Sequence, residues 1–278
     1  MSFTKMEKPS TTLQDNKIGM NIDEISTLIY DYTSGYPFLV SRICQIMDEK
    51  FLGEKFETKK LYQKPKQAKE RDNQKPLYDY FAKRKISQET LKKYDVVYSD
   101  NKEIVFKYYK NGELVNNKYR TNLGNGKKSF RQEKDTEKTF YGMDIVPKDS
   151  KELIIVEGEL DCLSFAEQGI LNVVSIPQGA SENKLECIEN CYDFISKFET
   201  YILAVDNDDA GDKLKNTLLC RLGKEKCKVV NWKQYKDANE ALIANENLKE
   251  FIDNATEINP DGIITFIDGF DEIYKYNF

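Results

Sequence analysis

Three carboxylate-rich clusters each follow a short apolar run: Glu157-Gly158-Glu159-Leu160-Asp161, Asp206-Asn207-Asp208-Asp209-Ala210-Gly211 and Lys236-Asp237-Ala238-Asn239-Glu240. Carboxylates massed at close range repel one another and cost stability unless cations neutralise them. Mg²⁺ suits such a place: it takes oxygen ligands, keeps several waters and binds through one or two protein carboxylates plus substrate phosphates. Two such ions about 3.5–4 Å apart stabilise both the attacking and the leaving oxygen of a phosphoryl displacement. Each cluster alone has a plainer reading, since Glu-Gly after a strand is an ordinary turn and Asp-Asn-Asp-Asp can cap the next helix. Occurring in order after three strands, they point together to a Mg²⁺-dependent site. The weakest member is Lys236–Glu240, because a charged loop before a helix needs no functional explanation.

The elements that must position these clusters are legible beyond Lys151. Continuous apolar runs predict four strands, Leu153–Val156, Asn172–Ile176, Tyr201–Val205 and Lys228–Val230, buried on both faces as in a parallel sheet. Helices are expected over Leu160–Gln168 and Ala210–Leu222, and Leu185, Ile188, Tyr192, Ile195 and Phe198 recur at the spacing of one amphipathic helix. Gly169 and Gly223 stand where helix C-caps belong. In open parallel sheets ligands gather at the carboxyl ends of the strands, so all three clusters are expected along one sheet edge.

Upstream, Leu77–Tyr94 is helically patterned, and β-prone runs at Ile104–Tyr109 and Val115–Arg120 flank Asn111-Gly112, a hairpin turn signal. This predicts a small α+β unit. Residues 51–138 hold 23 Lys and Arg against 13 Asp and Glu, a balance of +10 within a chain of net charge −5. Such a basic segment is either a solvated face or a platform for phosphates. Residues 54–75, rich in Lys and Gln with Pro65, read as a linker. Before it, apolar positions from Ile25 to Met47, interrupted at Ser34-Gly35-Tyr36-Pro37, predict two short helices.

The acidic motifs carry a family resemblance. E-G-x-x-D followed by D-x-D-x-A-G is similar to the toprim pattern of primases, topoisomerases and certain nucleases. Glu157–Ser164 (EGELDCLS), Val174–Ala180 (VSIPQGA), Val205–Gly211 (VDNDDAG) and Lys236–Glu240 (KDANE) resemble the phage primase-helicase and Twinkle branch in order and spacing. Arg84-Lys85-Ile86-Ser87, Lys118-Tyr119-Arg120 and Tyr141-Gly142-Met143-Asp144 resemble the basic subdomain that precedes toprim there. The match covers about residues 75–265. The resemblance implies an α/β toprim domain, a parallel four-stranded sheet with flanking helices, at residues 149–255. It is preceded by a basic primase-like α+β subdomain at 76–148, the linker at 54–75 and N-terminal helices at 1–53. A tail at 256–278 resembles the linker to a helicase. The stretch Tyr32–Cys44 is similar to a helical region of AAA-type ATPases, although no GxxxxGK[ST] phosphate loop occurs in the chain.

Carried over by position, Glu157 takes the acid-base or metal-binding role, and Asp206 and Asp208 the metal-binding pair, the three forming the catalytic set. Asp161 and Asp237 match further metal-site carboxylates. Lys118, Arg120 and Lys128 match the region that holds nucleoside triphosphate or template backbone. The implied cofactor is Mg²⁺, as two ions, and the implied partners are single-stranded DNA, nucleoside triphosphates and a replicative helicase. The family also carries a zinc-binding template reader before the basic subdomain and a RecA-like helicase after toprim. Neither is encoded in these residues, so the sequence reads as a truncated or rearranged form.

Composition narrows the classes. The chain has 278 residues, 40% of them apolar and 32% charged, which suits one or two globular domains with cores of their own. No apolar run approaches the roughly 20 residues of a membrane helix, and the first residues lack a signal-peptide core, so a cytoplasmic protein without membrane contact is expected. With no histidine and six scattered cysteines, a zinc site is not expected, and the thiols read as small buried hydrophobes. Three functions stay open: a primase-like nucleotidyltransferase, a catalytically dormant single-stranded-DNA-binding module beside a helicase, and a toprim nuclease.

Overall fold

Helix α1 (Lys75–Ala82) begins with Pro76 in its first turn, where the missing N–H costs nothing, and turns Leu77 and Phe81 into the core. The computed structural model describes residues 62–123, 127–178 and 185–258, side chains excepted at 122, 123, 127 and 128. All of these fall in the second of the chain's two units, Tyr62–Phe278, the first being Met1–Leu61. The expected N-terminal helices, the ATPase-like stretch, linker residues 54–61 and the tail from 259 onward lie outside the described residues. The helical pattern of Leu77–Tyr94 is delivered by two helices, because Lys85 adopts a positive φ of 56° between them. Ser87 then caps α2 (Gln88–Lys93) by accepting the Thr90 N–H.

Next come β1 (Val97–Tyr98), β2 (Ile104–Lys110), β3 (Glu113–Leu123) and β4 (Lys127–Gln132), an antiparallel sheet in sequential order. Asn111 and Gly112, with φ of 54° and 78°, form the tight turn between β2 and β3, the backbone that asparagine and glycine tolerate best. Residues 62–74, described without helix or long strand, are tied to this sheet. The Gln74 side chain donates to the Tyr98 carbonyl at 3.0 Å and accepts its N–H at 2.7 Å, and Lys107 pairs with Glu70 at 2.8 Å.

The second sheet begins with β5 (Glu152–Val156), followed by α3 (Glu159–Glu167) and β6 (Val173–Ser175). Helices α4 (Glu186–Asn190) and α5 (Tyr192–Ile195) lead to β7 (Thr200–Leu203). Then come α6 (Asp209–Leu222), β8 (Cys227–Val229), α7 (Ala238–Ile243), α8 (Leu248–Asp253) and β9 (Thr256–Glu257). The sheet order is β6-β5-β7-β8-β9, parallel throughout except for β9. The four expected strands form in the expected places, and a two-residue antiparallel strand extends the edge. The single helix expected over 185–198 is two, because Cys191 leaves helical geometry at φ −115° while Leu185, Ile188, Ile195 and Phe198 all stay buried.

One apolar cluster runs through both sheets. Phe81, Phe106 and Tyr108 from the antiparallel half and Ile154, Phe165 and Trp232 from the parallel half belong to it. Tyr141, on the connection between the halves, packs its ring 5.8 Å from Phe106 and 5.2 Å from Tyr108, and its backbone bridges Ser175 of β6. Among the described cysteines, Cys162, Cys187, Cys191 and Cys227 are buried and Cys220 is half-buried, all as free thiols.

Candidate active site

Strand register decides where the carboxylates go. Ile155 pairs with Leu203, and Leu203 with Val229, so β5, β7 and β8 end level with one another. The sheet order reverses between β5 and β7, the crevice where open α/β sheets bind ligands. Glu157 leaves β5 half-buried, and Asp206 leaves β7 after the buried Ala204 and Val205. Asp161, in the first turn of α3, is buried and accepts the Asn239 N–H at 3.2 Å. Burial, then the charges of Asp237 and Asp206 and, more weakly, Glu157, push its carboxyl well above the usual range. Asp206 is pushed up to about 6, by burial first and Asp237 second, against the opposing pull of Lys236. All five expected acidic positions are therefore electrostatic neighbours at this edge.

Asp208 is placed differently. It caps α6, its Oδ1 accepting the N–H groups of Ala210 at 3.1 Å and Gly211 at 3.0 Å, and these bonds together with Lys236 hold its carboxyl below the usual range. The glycine of the D-x-D-x-A-G motif has a steric cause here, since a Cβ at position 211 would stand 1.9 Å from the Asp206 carbonyl oxygen. Lys236 joins the pair, with Nζ 3.4 Å from Asp206 Oδ2 and 3.0 Å from Asp208 Oδ2. Asp237 caps α7 by accepting the Glu240 N–H at 2.8 Å. Hard carboxylate oxygens in negative excess are the donor chemistry a Mg²⁺ ion requires. Their arrangement around Lys236 is not yet that of a metal cage: among the described residues no three of Cys, Asp and Glu are grouped to hold an ion.

The cations of the antiparallel sheet face this edge. Lys118 and Arg120, two apart on β3, are buried rather than solvated. Lys118 Nζ lies 2.7 Å from Glu159 Oε1, which also accepts the Tyr108 hydroxyl. The Arg120 guanidinium lies 4.9 Å from the Tyr80 ring centroid and 5.7 Å from that of Phe130, its cross-strand partner, and its buried Nε has no hydrogen-bond partner among the described residues. Burial lowers the pKa of Arg120. Lys128 pairs with Asn122 along β4, and its side chain lies outside the described ones. A second link crosses at Asn239, which accepts from Arg84 Nη1 at 2.9 Å and donates to the Arg84 carbonyl at 3.2 Å and to Ser164 at 2.9 Å.

Sequence reasoning did not single out Tyr108, and it treated Glu159, Arg84, Lys236 and Asn239 only as parts of motifs. Glu159 stood inside a named cluster, but its partner Lys118 is 41 positions away on another element. A charged residue in a strand register that aims it at the acidic helix was the one available signal.

Residues 154–242 match a family model described as Toprim-like. The chain is 38% identical over 224 residues to the Twinkle homolog protein, chloroplastic/mitochondrial, of Arabidopsis thaliana, covering 72% of this chain and 31% of that protein. It is 39% identical over 203 residues to the primase homolog protein of the same plant, covering 64% of this chain and 59% of that one. The chain thus spans less than two thirds of the length of these relatives. Among solved structures it resembles, at 28% identity and a TM-score of 0.54, a chain from a bacteriophage T7 complex. In that complex the lagging-strand DNA polymerase interacts with primase domains of two gp4 subunits bound to an RNA/DNA hybrid and dTTP; the match covers 64% of this chain and 91% of that one. The strand order, the acidic sheet edge and these matches agree that the chain carries a toprim domain homologous to those of primases and Twinkle-type proteins.

Proposed function

We propose that residues 62–258 are the primase-like nucleotidyltransferase module of a phage-type primase-helicase, joining ribonucleotides into short primers on single-stranded DNA. The observation that carries this reading is the buried ion pair between Lys118 and Glu159, at the start of the acidic helix α3, with the buried Arg120 two residues further along β3. An anionic triphosphate held by cations at that junction has its α-phosphorus beside carboxylates. In the reaction a 3′-hydroxyl oxygen bonds to that phosphorus and pyrophosphate leaves. Glu157, Asp206 and Asp208 are assigned as the catalytic and metal-binding set, with Asp161 and Asp237 completing the ligand shell. These carboxylates would hold Mg²⁺, as two ions, which would supply charge neutralisation at the attacking and leaving oxygens. Glu157, directly after β5, is assigned to accept the hydroxyl proton or to hold an ion. Lys118, Arg120 and Lys128 are assigned to bind nucleotide and template backbone; nucleoside triphosphates, single-stranded DNA and a replicative helicase are the partners of this reading, and the dTTP and RNA/DNA hybrid of the T7 complex support its nucleotide part. Among the described residues no helix is long and apolar enough to cross a membrane, and a cytoplasmic setting belongs to this reading.

A second reading, a dormant single-stranded-DNA-binding module, is favoured by one feature, the neutralisation of Asp206 and Asp208 by Lys236. Incorporation of labelled ribonucleotides on single-stranded DNA, with and without Mg²⁺, separates the two. Mg²⁺-dependent products that vanish with Asp206→Asn support the enzyme. Salt-sensitive DNA binding without product supports the module.

A further inference from the structure

Resting on the reading of Asp206 and Asp208 as metal ligands, we infer that Lys236 is the resident counter-ion of this pair and that a divalent cation is loaded by exchange with its ammonium group. Lys236 Nζ lies near one oxygen of each carboxylate, at 3.4 and 3.0 Å, so it occupies the space between the two groups that would hold a cation. Two positive centres cannot share those oxygens without strong repulsion, so occupancy by one excludes the other.

The backbone around Lys236 is fixed independently of its side chain. Its carbonyl accepts the Asn207 N–H at 2.7 Å, its own N–H donates to Glu240 Oε2 at 2.8 Å, and Asp237 is tied down as the cap of α7. The side chain itself is 49% exposed. It can swing into water on its flexible stem while both loops keep their places. Lys118 offers the contrast, because its side chain is only 10% exposed and its ammonium is paired with the buried Glu159. Half-exposed ion pairs contribute little to stability, so the fold does not need this one. Its consequence falls on the site: the carboxylates are kept together and partly neutralised before any ion arrives, and the arriving ion must displace a competitor.

The test titrates Mg²⁺ alone into the full chain, by calorimetry and by thermal melting, for the wild type, Lys236→Met, Lys236→Arg and the Asp206→Asn/Asp208→Asn double variant. Exchange requires Lys236→Met to bind Mg²⁺ roughly threefold or more tightly than the wild type. Lys236→Arg, which keeps the charge, should bind like the wild type. Equal or weaker Mg²⁺ binding by Lys236→Met overturns the exchange, as does Lys236→Arg binding as tightly as Lys236→Met. A wild-type response that persists unchanged in the double aspartate variant shows that the ion binds elsewhere, which removes the metal assignment itself and the exchange with it. No response in either the wild type or Lys236→Met has the same effect.

Discussion

Lys118 lies where water hardly reaches and, among the described residues, is paired with Glu159, which has the Tyr108 hydroxyl on the same oxygen. Removing one member of such a buried pair leaves the other charge stranded and costs about 3–5 kcal/mol, whereas removing both costs less. Lys118→Met should therefore lower the urea midpoint sharply, and Lys118→Met combined with Glu159→Gln should recover part of the loss; a double variant as unstable as the sum of the singles would show the pair to be uncoupled. Asp206 makes the opposite kind of case, an acid held partly protonated. Its folded-state pKa of about 6 exceeds the roughly 3.9 of an unfolded aspartate, so the folded chain binds more proton between those values. Its contribution is then whole below about pH 4 and lost as the pH rises through about 6. In EDTA, stability measured across that window should fall less steeply for Asp206→Asn than for the wild type, and parallel curves would remove the argument. Asp161 acts in the same sense and Asp208 in the opposite one, its share being lost as the pH falls through its lowered pKa.

At the scale of elements, α6 shows a motif residue with two duties. Asp208 caps the helix and also belongs to the proposed metal pair, so substitutions separate the roles: asparagine caps as well as aspartate, while alanine does not. Metal-free Asp208→Asn should melt close to the wild type and Asp208→Ala about 1 kcal/mol below it, while both lose the Mg²⁺ response; equal stability of the two would mean that the cap contributes nothing. The strands behind this helix were readable because a strand buried on both faces is an unbroken apolar run, as in Leu153–Val156. Residues 185–198 show the limit of periodicity, since the apolar face continues across Cys191 while the backbone does not. Strand β9 has only two residues and both are exposed, so it left no pattern to find. The acidic half of the site was legible because its motifs are local. The basic half was legible only as residue types: the burial of Lys118 and Arg120 arises from the docking of one sheet against another, which no local spacing encodes.

For the molecule as a whole, the shared apolar cluster makes the two sheets one cooperative body, although their chemistry divides between basic and acidic. Tyr141 stands against Phe106 and Tyr108 on one side and is bridged through its backbone to β6 on the other. Neither sheet can lose its partner without exposing these rings. Amides of β2–β3 and of β5–β7 should therefore exchange with solvent deuterium at a common free energy of opening in the full chain, and clearly separate values would mean two independently opening halves. The same packing has an optical consequence. Trp232 is the only tryptophan of the chain, buried between Phe165 and Phe251, with its indole N–H donating to the Val205 carbonyl at 2.8 Å. Val205 directly precedes Asp206, and Trp232 stands four residues before Lys236. The protein thus holds a native fluorophore wired to the carboxylate loop, and any rearrangement there should register as a shift in a single emission band without a label.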